Sequence, residues 1–178
     1  MINFSHIFSK KILCLILLFV FSCKLNLYRS KTITYSQDES TNLFAFVGKK
    51  LSIKICDRPL EEITINSNGD TLLSDIIYFD QCFLAEYEVK DLVFNNLNKD
   101  TVIFEVYNHM GNPFFEYSDY SIVYLSKSED DEYYLQKYMY DHVKLNNDSL
   151  WVGINGESVD YLFNKKKNGY LKVRGIFE

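Results

Sequence analysis

Leu43–Ile55 (LFAFVGKKLSIKI) alternates apolar and polar positions on both sides of Gly48, and the parity changes there: Phe44 and Phe46 are even, Leu51, Ile53 and Ile55 odd. Alternation with a period of two marks a half-buried strand. A glycine at a parity switch marks a β-bulge, where one extra residue bends the strand. Gln81–Phe94 (QCFLAEYEVKDLVF) sets Phe83, Ala85, Tyr87 and Val89 against Glu86, Glu88 and Lys90. After the polar turn Asn95–Asp100, Thr101–His109 sends Val102, Phe104 and Val106 to one side. Met110–Pro113 (MGNP) breaks that strand. Tyr120–Ser126 and Tyr133–Val143, joined across Ser128–Glu132, predict a hairpin.

The rest of the chain is less regular. "NNDSLWVG" predicts a turn and a short apolar stretch around Trp151, and Tyr170–Phe177 (YLKVRGIF) alternates in a way that would close the sheet. Helix is expected only near Thr71–Ile77 or Ser158–Asn164. The predicted fold class is all-β, a small bulged barrel or a sandwich with minor helix. Fourteen Tyr, fourteen Phe and two Pro suit a packed β domain and not a disordered chain.

The amino terminus is of another kind. Lys10 and Lys11 precede ten apolar residues, Ile12–Phe21. Ten helical residues cover about 15 Å, half of the roughly 30 Å hydrocarbon layer, so a secretory signal peptide fits better than a membrane span. Val20, Ser22 and Cys23 resemble the lipobox of bacterial lipoproteins, from which Phe21 departs at the second position. That resemblance implies that residues 1–22 are removed and that Cys23 carries a diacylglycerol thioether; the alternative is an ordinary secretory signal with an incidental cysteine. Residues 23–41 then form a lipid-anchored tether, polar and without periodicity, and residues 42–178 a single β-rich domain. As a flexible coil the 18 residues Lys24–Thr41 reach about 25 Å.

Without residues 1–22 the chain has 17 basic against 24 acidic residues, a net charge near −7. This argues against a nucleic-acid partner and against a polybasic hold on anionic lipid. Membrane contact is expected through the lipid alone.

The runs LFAFVGKKLSIKI, FLAEYEVKDLVF and DTVIFEVYNH resemble the opening of netrin-like domains, the OB-type barrel of tissue inhibitors of metalloproteinases. The layout that includes EVYNHMGNPFF and KYMYDHV looks like a group of lipoproteins from Bacteroidota, a resemblance that brings no activity with it. Fold alone carries no function.

Candidate chemistry is sparse. Cys56 and Cys82 end one predicted strand and begin the next; in an oxidising envelope they form either a disulfide or two buried thiols behaving as small hydrophobes. His109 and His142 lack the clustered ligands of a metal or acid–base site. Asp141 adjoins His142, but strand neighbours point to opposite faces, so it is not placed to orient the ring as a triad requires. Serines occur outside a G-x-S-x-G context, and no glycine-rich phosphate loop is present. Asp57–Glu62 and Glu129–Glu132 lack the spacing of a calcium loop and read as solvated turns.

No catalytic residue, cofactor or metal ligand is therefore expected. Tyr134, Tyr138 and Tyr140 share parity on the last long strand, with His142. They form either a recognition face for a protein or glycan or a cross-strand ladder. The expected protein is a non-catalytic, lipid-anchored binding module of a bacterial cell envelope. The alternative is an inhibitor or immunity-type protein acting on a protease or toxin. Lys24-Leu25-Asn26 lacks an acidic run resembling a surface-export signal of this bacterial group, which leans toward a periplasm-facing anchor.

Overall fold

Five long strands form where the sequence predicts them, and their pairing closes a ring. The computed structural model describes residues Ile33–Glu178; the expected signal peptide, Cys23 and the expected tether as far as residue 32 lie outside the described residues. The strands are β1 (Phe44–Ile55), β2 (Glu61–Ile65), β3 (Thr71–Asp75), β4 (Gln81–Phe94), β5 (Thr101–Asn108), β6 (Tyr120–Lys127), β7 (Tyr133–Leu145) and β8 (Trp151–Gly153). The main sheet runs β5-β4-β1-β6-β7-β8, and a parallel contact of β5 with β7 at Glu105 and Tyr134 joins its ends. The result is a small five-stranded barrel, the Greek-key closure that OB-type barrels use. β2 and β3 form a separate two-stranded sheet between β1 and β4.

Two apolar layers result. Inside the barrel lie Phe46, Phe83, Tyr87, Phe104, Phe115, Val123 and Leu135. Outside it, Ala45, Val47, Ile122, Tyr124, Met139 and Val143 meet a C-terminal cover built from Leu162, Phe163 and Leu171. That cover is α1 (Val159–Lys166), extended by a π-helical turn over Lys167–Leu171. Ser158 caps α1, its Oγ accepting from Tyr161 N at 3.2 Å, and Lys165 and Lys166 sit favourably in its last turn.

Bulges let single strands serve both layers. The register of β1 on β4 shifts between Val47 and Gly48, where Lys90 of β4 is the unpaired residue, and again between Lys50 and Ser52, where Leu51 is. Phe44 and Phe46 therefore face inward, as does Ile53 beyond the switch. Gly48 has a separate duty. A β-carbon there would lie 2.7 Å from Phe46 Cε2 and 2.8 Å from Tyr87 Cδ1, inside van der Waals contact with two buried rings.

Four expectations need correction. Thr71–Ile77 is not helical: Asn66 Oδ1 accepts from the N–H groups of Asn68 and Asp70, both at 2.9 Å, and Gly69 at φ +86° completes the turn that lays β3 on β2. Tyr170–Phe177 is not a strand and does not close the sheet. The parallel β5–β7 contact does that, while the helix capped at Ser158 propagates to Leu171 and drops Ile176 and Phe177 onto the outer layer. Tyr134, Tyr138 and Tyr140 do not share a face. Between Val123 and Leu125 the pairing of β6 moves from Tyr140 to Leu135, so β7 bulges at Gln136–Tyr138 and its parity switches.

The domain also begins earlier than residue 42. Ile33 is buried in the outer layer, Thr34 donates to Asp160 through its N–H at 2.8 Å and its hydroxyl at 2.6 Å, and Ser36 bridges Phe94. The buried amide of Asn95 binds this segment in place. Its Nδ2 donates to the carbonyls of Asp38, Thr41 and Leu43, and its Oδ1 accepts from Asp38 N.

Gly48→Ala should overpack the barrel against Phe46 and Tyr87 and cost about 1–3 kcal/mol, measured as lost stability in chemical denaturation. Unchanged stability would show that the two rings yield freely.

Candidate functional site

The 24 residues between Asp57 and Asp80 leave the barrel and return to it. At the exit, Cys56 N donates to Cys82 O at 3.0 Å, and the two cysteines, with Cα atoms 5.3 Å apart, are joined by a disulfide. Cys82 is buried in the wall of the barrel. The excursion carries the β2–β3 hairpin, whose ten residues are all exposed. Pairing of Glu61 with Asp75, Ile63 with Leu73 and Ile65 with Thr71 puts these six residues on one face. Ile63 is 69% exposed and Leu73 62%. Leu60, Ile77 and Phe79, also exposed, extend the apolar surface toward the base.

An isolated two-stranded hairpin is marginal in water, so its base must be held. The hub is Asp80. Its Oδ2 accepts from Lys137 Nζ at 2.5 Å and its Oδ1 lies 3.4 Å from His109 Nδ1. Its backbone carbonyl accepts from Arg58 Nη2 at 2.7 Å. Arg58 lies over the ring of Tyr78, 3.9 Å from its centroid, and Tyr78 donates to Pro59 O at 3.0 Å. His109 Nδ1 also sits 2.8 Å from Phe79 O. The Lys137 ammonium, and secondarily His109, hold the Asp80 carboxyl below the usual carboxylate range. Lys137 reaches Asp80 from the bulge in β7, and Arg174 donates to Lys137 O at 2.8 Å.

The other candidate residues are placed apart. Tyr140 turns into the barrel against Phe115, centroids 5.4 Å apart. Tyr138 stands exposed at the bulge with φ +63°, and Tyr134 pairs with Ser126 on one side and Glu105 on the other. His142 Nδ1 is 2.6 Å from Ser118 Oγ. Asp141 faces the opposite way, accepting from Tyr124 Oη at 2.8 Å and pairing with Lys166 at 3.3 Å. Asp141 therefore does not stand behind the ring of the serine–histidine pair. Among the described residues no group of three His, Cys, Asp or Glu is placed to hold a metal ion, and no helix is long and apolar enough to cross a membrane. In the Ser128–Glu132 turn, Asp131 pairs with Lys127. A polar recess of about 620 Å³ lies between this turn and the docked segment, with Gln37, Asn96 and Asn98 among its lining residues. The Tyr133 ring at its floor is only 6% exposed and offers no stacking platform.

The hairpin is what reading the sequence missed, although its signal is present. Glu61–Ile65 alternates, Asn66–Asp70 is a glycine-bearing turn, and Thr71–Asp75 has the length of a strand. The hub has no such signal, since Arg58, Asp80, His109 and Lys137 meet only through the fold.

Asp80→Asn should speed hydrogen exchange of the Asp57–Phe79 amides while leaving the barrel protected; equal protection would remove Asp80 as the hub. Asp80 is more acidic in the folded state, so its contribution is complete above the ordinary value of 3.8 and is lost as pH falls through the depressed one. Replacing both Cys56 and Cys82 by Ser should cost on the order of 3 kcal/mol. Burial lowers the pKa of His142, with Asp141 opposing in part. The neutral ring is favoured by folding, so stability is full above its ordinary 6.5 and falls as pH drops below it. His142→Gln should flatten that slope between pH 6.5 and the carboxylate range in urea titrations; an unchanged slope would assign it elsewhere.

No family model, curated protein or solved structure matches the chain.

Proposed function

We propose that the protein is a lipid-anchored module of a bacterial cell envelope that acts by binding, with the β2–β3 hairpin as its docking element. The observation that carries this reading is the hairpin itself: a clamped projection that keeps Ile63, Ile65 and Leu73 in water. Apolar surface in water is unfavourable by about 25 cal/mol per Å², and such patches mark interaction sites. Clamping at Cys56–Cys82 and Asp80 lowers the ordering cost of binding. A protein partner is favoured over a glycan, because the exposed apolar residues of the hairpin face, Ile63, Ile65 and Leu73, are aliphatic and present no ring to stack on a sugar. The membrane attachment rests on the resemblance of Val20–Cys23 to a lipobox.

A second reading, inhibition of a protease or toxin, draws on the same hairpin. A narrow, pre-ordered projection suits entry into an enzyme cleft, and acylation of Cys23 would leave that mode open.

The test is purification of tagged full-length protein from gently solubilised envelopes, with intact-mass analysis of the bait. The expected bait starts at an acylated Cys23, and its co-purifying protein is lost with Ile63→Asp/Leu73→Asp. An unmodified Cys23 would end the anchor reading, and a partner retained by the hairpin variant would end the docking reading.

A further inference from the structure

A second unpartnered surface lies near the base of the hairpin and has the opposite charge. Where α1 passes into its π-helical turn, Gly169 leaves helical geometry at φ −107°, ψ −107°. A groove of about 550 Å³ opens there, lined by Asp141, Lys165, Lys166, Gly169, Tyr170 and Val173. Tyr170 and Val173 are exposed, Val173 by 85%. Lys166 is engaged by Asp141; Lys165 and Lys172 make no ion pair among the described residues. From Lys165 to Arg174 there are five basic residues and no acidic one. From Asp57 to Asp80 there are six acidic residues and one basic, Arg58. The two surfaces are coupled through Lys137, whose ammonium binds Asp80 and whose carbonyl accepts from Arg174. The hairpin does not cover its own groove, since none of its residues lines it.

We propose that the partner seated on the hairpin is a second copy of this chain, in a two-fold dimer in which each hairpin lies in the other's basic groove. The inference rests on the hairpin being the docking element. It puts Ile63 and Leu73 against Tyr170 and Val173, and brings Glu61 and Asp75, on the same face of the hairpin, to Lys165 and Lys172. Because both surfaces lie near Lys137, a two-fold axis beside them makes the contact twice, as an isologous interface requires. Opposite charges steer the encounter and set its register. The same acidic residues disfavour an anionic membrane as the occupant.

The test places a photo-crosslinking amino acid at position 63 of the full-length protein in its own envelope, with light- and heavy-isotope copies mixed. The expected adduct has twice the protomer mass and joins position 63 of one copy to residues 165–174 of the other. Lys165→Glu/Lys172→Glu should reduce it roughly tenfold or more, and adding Glu61→Lys/Asp75→Lys should restore it. A dimer adduct insensitive to charge reversal overturns the proposal, as does a ladder of higher multiples, which shows an open chain of copies. An adduct only to a different protein or to lipid also overturns it; a different protein leaves the hairpin standing as a docking element. No adduct at all removes both.

Discussion

The break in β7 at Gln136–Tyr138 is the constraint on which the molecule depends. This strand pairs with β6 along one edge, meets β5 in parallel at Tyr134, and carries β8 from Val143 to Leu145. It must also supply side chains to both apolar layers. Before the break Tyr133 and Leu135 point into the barrel; after it Tyr140 does, while Met139 and Val143 join the outer layer. A regular strand could not do this, because one face collects every second residue. Kept in the register of Tyr133 and Leu135, it would turn Met139 and Val143 into the barrel and Tyr140 under the helix. Register errors of one residue reverse every side chain beyond them, so the extra residues decide the fold on both sides of the wall.

The same bulge builds the candidate site. Because the backbone leaves the sheet there, Lys137 is free to extend to Asp80 and its carbonyl is open to Arg174. The hairpin has no buried side chain of its own to hold it against the barrel. Its position comes from the disulfide, the Asp80 hub and the Arg58–Tyr78 stack, all confined to its base. The barrel is stabilised by packing, whereas the projection is positioned by a few polar and covalent contacts. This leaves its apolar residues available for a partner.

What could be read in the sequence follows the same division. The strands β1, β4 and β5 are legible because alternation reports burial, β6 and β7 because two apolar runs flank the Ser128–Glu132 turn, and the helix after Ser158 because its cap is local. The tyrosine row was misread because alternation assumes an unbroken strand, and nothing in Gln136-Lys137-Tyr138 announces a residue at positive φ. Tyr170–Phe177 misled for a related reason: Leu171, Ile176 and Phe177 are apolar because a helical turn and a returning tail bury them, not because a sheet does. The hairpin was overlooked because Thr71–Asp75 has no burial pattern to read. The disulfide depends on the pairing of β1 with β4, which brings Cys56, one residue past β1, beside Cys82.

The position of Asn95 bears on how such a domain would act at a membrane. By holding Asp38, Thr41 and Leu43 to the barrel, it takes residues 33–41 out of the tether. If Cys23 is the anchor, nine residues remain between it and Ile33. On the proposal that Cys23 is the anchor, fewer residues between it and the barrel would keep the domain nearer the headgroups, where anchored copies would move in two dimensions. Confinement raises the effective concentration of each copy for its neighbours. An interface with modest buried area, too weak to hold in dilute solution, can persist there, which suits the proposed pair of hairpin-and-groove contacts.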